Sequence, residues 1–270
     1  MLKKYRSKLL DFLPEKVEEA CSFIQEHVPV EGYFVGFSGG KDSVVLAKLV
    51  ELSGVKHQLW YSCTGIDPPE VVKFIRKYYP ECNWAYPKMT FWKGILTKSP
   101  PGIKRRWCCD LLKKNPTKNV PLLHRLMGVR LEESVRRSKY PRVHKRSNNQ
   151  IMYYPLFYWS DADIWEFIDK NKLPYCSLYD EGFNRLGCII CPFRNKQEHE
   201  FYRKRYPEIY RLFDKTVVKW YNLKVKQGKT PSHPTAQEYL SDWYTEKGMV
   251  SVENSPRPKK IKQLGIKDFD

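Results

Sequence analysis

Ser38, Gly39, Gly40, Lys41, Asp42 and Ser43 form an unbroken run whose side chains suit the holding of an anion. Glycines lack a Cβ, so their backbone can come close to an oxyanion. Lys41 brings a point charge, and Ser38 and Ser43 bring hydroxyl donors. Tyr33, Phe34, Val35, Gly36 and Phe37 before the run read as a short buried strand; Val44, Val45, Leu46, Leu49 and Val50 after it read as the apolar face of a helix. A strand that passes through glycines into a helix N-terminus leaves free N–H groups and the positive end of the helix dipole facing the turn. The spacing is not that of a Walker A loop, because no glycine precedes the Gly-Lys pair at the required interval. Taken alone, the two glycines also fit an ordinary strand-to-helix turn.

A second constellation is sulfur. Cys108-Cys109 and the downstream Cys188-x-x-Cys191 supply four thiols, enough for a structural zinc or a [4Fe–4S] cluster. Adjacent cysteines suit one tetrahedral zinc poorly, because neighbouring Cβ vectors diverge, whereas a cubane offers them separate irons. A redox dithiol and buried free thiols remain open alternatives. A third constellation is positive charge. Arg130 and Arg137 stand where planar forks could meet phosphate or sulfate oxygens, although Glu132, Glu133, Arg136 and Arg137 also fit ordinary pairs on a solvated helix.

The 48 Lys and Arg against 30 Asp and Glu give a net charge of +18, which favours polyanionic partners or phosphorylated substrates. Arg136, Arg137, Lys139, Arg142, His144, Lys145 and Arg146 read as a basic, partly mobile loop, and Phe201-Tyr202-Arg203-Lys204-Arg205-Tyr206 interleaves rings and charges in a manner suited to nucleic acid. No run of about eighteen apolar residues is present, so no membrane span is expected. The N-terminus lacks the apolar core of a signal peptide. A reducing cytoplasm follows as the expected compartment, and in it eight cysteines serve as ligands or redox groups more readily than as disulfides.

These groups need a frame. Strands are expected at Tyr33–Phe37, Lys56–Ser62, Asn83–Tyr86 and Leu122–Arg130, with helices between them, one opening at Asp67-Pro68-Pro69-Glu70. Alternation at this spacing predicts an α/β fold with a doubly wound, mostly parallel sheet, whose ligands sit beyond the carboxyl ends of the strands. Residues 1–28 read as an N-terminal helical segment broken by Pro14 and 29–195 as the nucleotide-binding domain. Residues 196–270 read as a helical appendage, with Tyr206, Ile209, Phe213, Val217 and Trp220 at helical spacing and a basic tail at Ser255–Lys260.

Ser38–Ser43 matches SGGxDS completely and so resembles the PP-loop of the ATP-pyrophosphatase (adenine nucleotide α-hydrolase) superfamily. Trp107–Lys114 and Leu186–Pro192 resemble the cysteine motifs of adenylyl-sulfate reductases, and Gly128–Arg137 fits their GxRxxESxxR pattern. Thr64-Gly65 and Pro69-Glu70 resemble a second nucleotide-side motif. Over about residues 30–195 the chain is similar to the phosphoadenylyl-sulfate (PAPS) reductase family within that superfamily. The resemblance implies ATP, or adenylyl sulfate or PAPS, with Mg2+, held by Ser38, Gly39, Gly40, Lys41, Asp42, Ser43, Thr64, Gly65, Gly128, Arg130, Glu133 and Arg137. Lys41, Asp42 and Arg130 take the catalytic roles. A [4Fe–4S] cluster falls to Cys108, Cys109, Cys188 and Cys191.

One departure redirects the function. The family's reductases take the sulfonate on a cysteine in a C-terminal tail, and no cysteine follows Cys191 here. The expectation is therefore an ATP pyrophosphatase that adenylates a nucleic acid for sulfur transfer, of the type found in DNA phosphorothioation systems. The alternatives are a sulfonucleotide reductase that uses an external thiol and a non-catalytic nucleotide- or nucleic-acid-binding protein. Expected partners are nucleic acid (DNA ahead of RNA), a sulfur donor such as a cysteine desulfurase, and a second copy of the chain in a homodimer.

Overall fold

Tyr33, Phe34 and Val35 are all buried, although side chains alternate between the two faces of a strand. A strand hidden on both faces belongs in the middle of a parallel sheet covered on each side. In the computed structural model, which describes residues 13–133, 141–229 and 231–245, this strand, β1 (Tyr33–Gly36), occupies that position. It pairs in parallel with β2 (His57–Ser62) on one side and β4 (His124–Met127) on the other. β3 (Asn83–Ala85) extends the first side and β6 (Ile151–Tyr153) the second. β5 (Val143–Lys145) closes that second edge antiparallel to β6, giving the order β3-β2-β1-β4-β6-β5. The chain thus builds outward from β1 in one direction and then returns to build in the other. Between β1 and β4 the loops leave in opposite directions, which opens a crevice at the carboxyl edge.

Helices α1 (Leu13–Glu26), α2 (Lys41–Leu52), α3 (Pro69–Tyr78) and α4 (Phe91–Thr97) follow the expected alternation. α2 buries Val44, Val45, Leu46, Leu49 and Val50 against the sheet. α5 (Asp161–Lys170) packs beside α2 and is started by a capping box in which Ser160 and Asp163 exchange hydrogen bonds. Lys16 reaches from α1 to Asp163 at 2.5 Å and ties the first helix to that cap. The last helices are α6 (Lys196–Arg205), α7 (Pro207–Lys226) and α8 (Ala236–Thr245). α7 buries Tyr210, Phe213, Val217 and Trp220, and both α8 and α4 pack against it.

Pro14 stands in the first turn of α1, where the missing N–H is harmless; the rest of the expected N-terminal helical segment, with Leu9, Leu10 and Phe12, lies outside the described residues. One sequence expectation changes. The segment read as a basic loop contains β5 and a tight return at Ser147–Gln150, with Asn149 at φ 64. Lys145 and Arg146 are exposed there. Arg142 instead forms a two-pronged ion pair with Glu19 and lies 3.8 Å over the Phe23 ring, so it fastens the edge to α1. Arg136, Arg137 and Lys139 lie outside the described residues, as does the basic tail. No helix among the described residues is long and apolar enough to cross a membrane.

Candidate functional site

The turn after β1 is built by its own serines. The Ser38 N–H donates to Ser43 Oγ at 3.2 Å, and the Ser43 hydroxyl donates to the Gly40 carbonyl at 2.8 Å. Gly39 has φ +71, and a Cβ there would lie 2.9 Å from Val71 Cγ1 and 3.0 Å from Ile75 Cγ1, so α3 closes directly behind it. The first intrahelical bond of α2 runs from the Val44 N–H to the Gly40 carbonyl. The N–H groups of Asp42 and Ser43 precede it and point out of the helix end. The Lys41 N–H donates to the Tyr179 hydroxyl at 2.9 Å, from a residue 138 positions away.

Charge at this edge is organised around Arg130, buried at 5% exposure. Its Nε meets Asp42 at 2.5 Å, one terminal nitrogen meets Glu132 at 2.9 Å, and the other meets Asp161 at 2.9 Å. The same Asp161 oxygen receives Lys41 Nζ at 2.7 Å, and Lys41, 7% exposed, also donates to the Asn184 carbonyl at 3.2 Å. Glu132 accepts the Asp161 N–H at 2.8 Å, and Glu133 accepts the Arg130 N–H at 3.1 Å. Burial disfavours the guanidinium charge, but Asp42 and Asp161 outweigh it and hold Arg130 above its ordinary range. A Cβ on Gly128 would lie a tight 3.2 Å from the Asp42 backbone, so glycine lets the β4 loop lie this close to α2 without a shift of a few tenths of an ångström. Arg130 is thus the hub that joins α2, β4 and α5, rather than an open fork. Arg137 lies outside the described residues.

The loop after β2 carries Thr64 and Gly65. Asp67 accepts from the Thr64 N–H at 2.9 Å and from the Tyr61 hydroxyl at 2.6 Å. Beside it opens a cleft of about 330 Å³ lined by Cys63, Gly65, Asp67, Lys73 and Arg76.

The four motif cysteines gather at this end of the sheet. Cys109 begins a π-helical turn, Cys109–Lys114, whose wide loop is frequent at functional sites. The Lys113 carbonyl of that turn accepts from Ser62 at the end of β2. The CxxC loop docks on the same region. Its Ile189 N–H donates to the Ile66 carbonyl at 2.8 Å, and the Cys188 thiol lies 3.6 Å from Thr64 Oγ1 and 3.8 Å from Asp67. Cys108 is within electrostatic reach of Cys109, Cys188 and Cys191. A hydrogen bond from Cys108, with Lys113, Arg106 and Lys114 nearby, holds the Cys109 thiol down at about 6. Burial pushes Cys188 up to about 11. Among the described residues no group of three or more His, Cys, Asp or Glu side chains stands in a ready metal-binding arrangement. The donor chemistry nevertheless fits a thiolate-bound group: four neighbouring thiols, one readily ionised, beside Lys113, Arg106 and Lys114 to offset negative charge.

Sequence reading missed the part that Asp161, Glu132, Asp67, Tyr179 and Asn184 play at this edge; the segment 201–206, read as suited to nucleic acid, runs to the end of α6 with Lys204 and Arg205 exposed. There Arg203 pairs with Asp214, Arg205 pairs with Glu70 and Glu181, and the Tyr206 hydroxyl donates to Glu70. Tyr202 and Tyr206 are buried, which leaves Phe201 as the exposed ring.

The family model described as the phosphoadenosine phosphosulfate reductase domain matches residues 32–194. An uncharacterized protein of Methanocaldococcus jannaschii is 28% identical over 195 residues, covering 68% of this chain and 41% of its own length. This chain therefore spans less than half of that relative. An adenosine 5'-phosphosulfate reductase of Oceanobacillus iheyensis is 37% identical over 166 residues, or 57% of this chain and 68% of that one. Among solved structures, the phosphoadenylyl-sulfate reductase of Candida auris superposes with a TM-score of 0.50 at 18% identity, covering 63% of this chain and 88% of that one, a likeness of fold.

Proposed function

Because this chain belongs to the phosphoadenosine phosphosulfate reductase domain family, we propose that it is a PP-loop ATP pyrophosphatase that activates a nucleic acid for sulfur transfer. The observation that carries the reading is that the phosphate-type turn Ser38–Ser43 and the four neighbouring thiols share one edge of the sheet, linked through Ser62, Thr64 and the loop 184–188.

ATP lies with its β- and γ-phosphates on the N–H groups of Asp42 and Ser43, and its nucleoside extends toward the cleft beside Gly65, where Lys73 and Arg76 stand. Lys41 and Arg130 are outnumbered by Asp42, Asp161 and Glu132. A triphosphate entering this excess of carboxylate requires a divalent cation, and Mg2+ held by one or two carboxylates plus phosphate oxygens is the usual solution. A nucleic-acid oxygen attacks the α-phosphorus, pyrophosphate leaves over the turn, and sulfur then displaces AMP from the adenylated position. Lys41, fixed by Asp161 and Asn184, offsets the charge that builds on the departing pyrophosphate.

Cys108, Cys109, Cys188 and Cys191 hold a [4Fe–4S] cluster, which when bound supplies soft iron for sulfur beside the nucleotide. The sulfur comes from a donor such as a cysteine desulfurase, whose persulfide sulfur is brought to the sulfide level by two electrons from an external thiol, which leaves as disulfide, before it displaces AMP. The net charge of +18 supports a polyanionic acceptor, with DNA preferred to RNA.

A second reading, adenylyl-sulfate reduction with an external thiol, draws on the likeness to the Oceanobacillus enzyme. Anaerobically purified protein is to be assayed for iron, sulfide and zinc, then for pyrophosphate release from ATP with DNA or RNA and for sulfite release from adenylyl sulfate. Pyrophosphate that depends on nucleic acid supports the first reading. Sulfite without pyrophosphate overturns it in favour of the second, and zinc without iron overturns the cluster.

A further inference from the structure

The loop 182–185 and the start of α6 line a second cleft of about 330 Å³, which shares no lining residue with the cleft beside Gly65. It adjoins the phosphate turn directly, because Asn184, on its rim, holds Lys41 Nζ through its carbonyl. Nothing in the proposed handling of ATP uses it.

Its lining combines three kinds of group. Phe201 is 42% exposed, with its inner edge packed on Phe183 at a centroid distance of 4.7 Å. Asn184 and Gln197 present amides that carry both donors and acceptors. Arg185 is exposed, while Arg194 is buried, lies 3.3 Å over the Tyr202 ring and keeps its Nε without a partner.

A simple phosphate is a poor occupant. The end of α6 is already capped, since the Asn195 N–H donates to Glu198 at 2.9 Å and the Glu198 N–H donates to Asn195 at 2.8 Å. The Glu198 carboxylate on the cleft wall also repels an anion. A flat ring with a hydrogen-bonding edge suits it better: it gains a stacking face from Phe201, edge contacts from the amides, and a backbone phosphate contact from Arg185 outside.

We propose that this cleft receives one unpaired base of the nucleic-acid strand and thereby places the adjoining backbone at the ATP-binding turn. The proposal rests on the nucleic-acid reading of the function given above. A single-stranded or locally opened site is then the substrate class, because a base within a duplex cannot reach the Phe201 face without leaving its stack.

The test is fluorescence anisotropy of labelled short single-stranded DNA and RNA oligonucleotides, across a salt series, with ATP affinity measured by calorimetry. Phe201→Ala is expected to weaken strand binding about tenfold or more. Because stacking releases no counterions, the slope of log affinity against log salt stays at its wild-type value. Phe201→Leu keeps the apolar contact with Phe183 and loses the same affinity for lack of a stacking face. Arg185→Ala lowers the slope by about 0.7. ATP affinity is unchanged in all three. Wild-type strand affinity in Phe201→Ala, or full recovery in Phe201→Leu, overturns the base pocket. So does a parallel loss of ATP affinity, which would assign the cleft to the nucleotide's own base. A wild-type protein that binds no strand at low salt overturns the proposed function and the pocket with it; strand binding indifferent to Phe201 removes the pocket alone.

Discussion

Gly39 and Gly40 are neighbours in one motif, yet replacing each by alanine has opposite expected consequences. At Gly39 the backbone is left-handed, φ +71, and an added Cβ would lie 2.9 Å from Val71 Cγ1 and 3.0 and 3.1 Å from Ile75 Cγ1 and Cδ1. A left-handed non-glycine residue costs about 1–2 kcal/mol, and forcing a methyl group into a packed wall costs about 1–3 kcal/mol more. The sum, about 2–5 kcal/mol, lowers Tm by roughly 5–15 °C for a domain of this size. Gly40 has φ −83 and ψ 160, which any residue adopts, and its added Cβ meets only Ser38 Oγ and the Tyr179 hydroxyl, at an ordinary 3.4 Å. Gly40→Ala therefore keeps Tm within about 2 °C. It does, however, push a methyl group toward the space in front of the Asp42 and Ser43 N–H groups. Displacing one charged hydrogen bond there costs about 1.5–3 kcal/mol, a loss of about tenfold to a hundredfold in ATP affinity. Thermal unfolding by circular dichroism and calorimetric titration with Mg-ATP read the two effects separately. Unchanged ATP affinity in a well-folded Gly40→Ala protein refutes the phosphate role of the turn, and a wild-type Tm in Gly39→Ala refutes the packing argument.

Arg130→Leu leaves Asp42, Glu132 and Asp161 facing one another without their shared cation, so urea denaturation should show a loss of about 3–5 kcal/mol; adding Asp161→Asn should recover part of it, and a single-variant loss below about 1 kcal/mol contradicts the hub. His199 is pushed down to about 3 by burial, with Arg194 and Arg203 adding to the effect. The unfolded chain thus binds a proton that the folded one refuses between about pH 6.5 and 3. The stability this neutral imidazole preserves is complete above 6.5 and falls with acidification by at most about 1.4 kcal/mol per pH unit. His199→Gln should flatten that part of the pH–stability curve, and an unaltered slope rejects the assignment. In strand binding, Lys145→Ala with Arg146→Ala should lower the salt slope by about 1.4–1.8; Arg142 is omitted because its pairing with Glu19 makes it structural. A slope unchanged in the double variant removes the β5 edge from the nucleic-acid path.

The sheet and the turn were legible because their signals are local. An apolar run, two glycines and an amphipathic run place β1, the turn and α2 without reference to the rest of the chain. The four thiols were legible as a set because cysteine is scarce and their spacing limits the possibilities. Asp161 was not, because Ser160-Asp161-Ala162-Asp163 reads as a helix start, and only the fold shows that its first carboxylate faces Lys41 and Arg130 rather than water. Tyr179 and Asn184 reach the turn from 138 and 143 residues away, a distance over which pattern carries no information. The β5–β6 return did leave a trace, since Ser147-Asn148-Asn149 offers residues that tolerate φ > 0, but strands of three residues each lie below what periodicity detects. In the basic–aromatic run at 201–206, composition did not show which charges have partners, as Arg203 has in Asp214 and Arg205 in Glu70 and Glu181.

The hub at Arg130 also bears on how the chain assembles. Its partners Asp42 and Asp161 lie 88 and 31 residues away, in elements that cannot meet until β4 has been laid beside β1 and the 161–170 helix has closed over both. Contacts so distant in sequence form late, after the loops between them have been closed at an entropic cost. Until then Lys41 has no fixed direction, and the turn after β1 is only a loop with glycines. Under the proposed function, competence to take up ATP therefore arises in the last stage of folding. Mutations that loosen α5 should then appear as loss of nucleotide uptake well before any loss of helix signal.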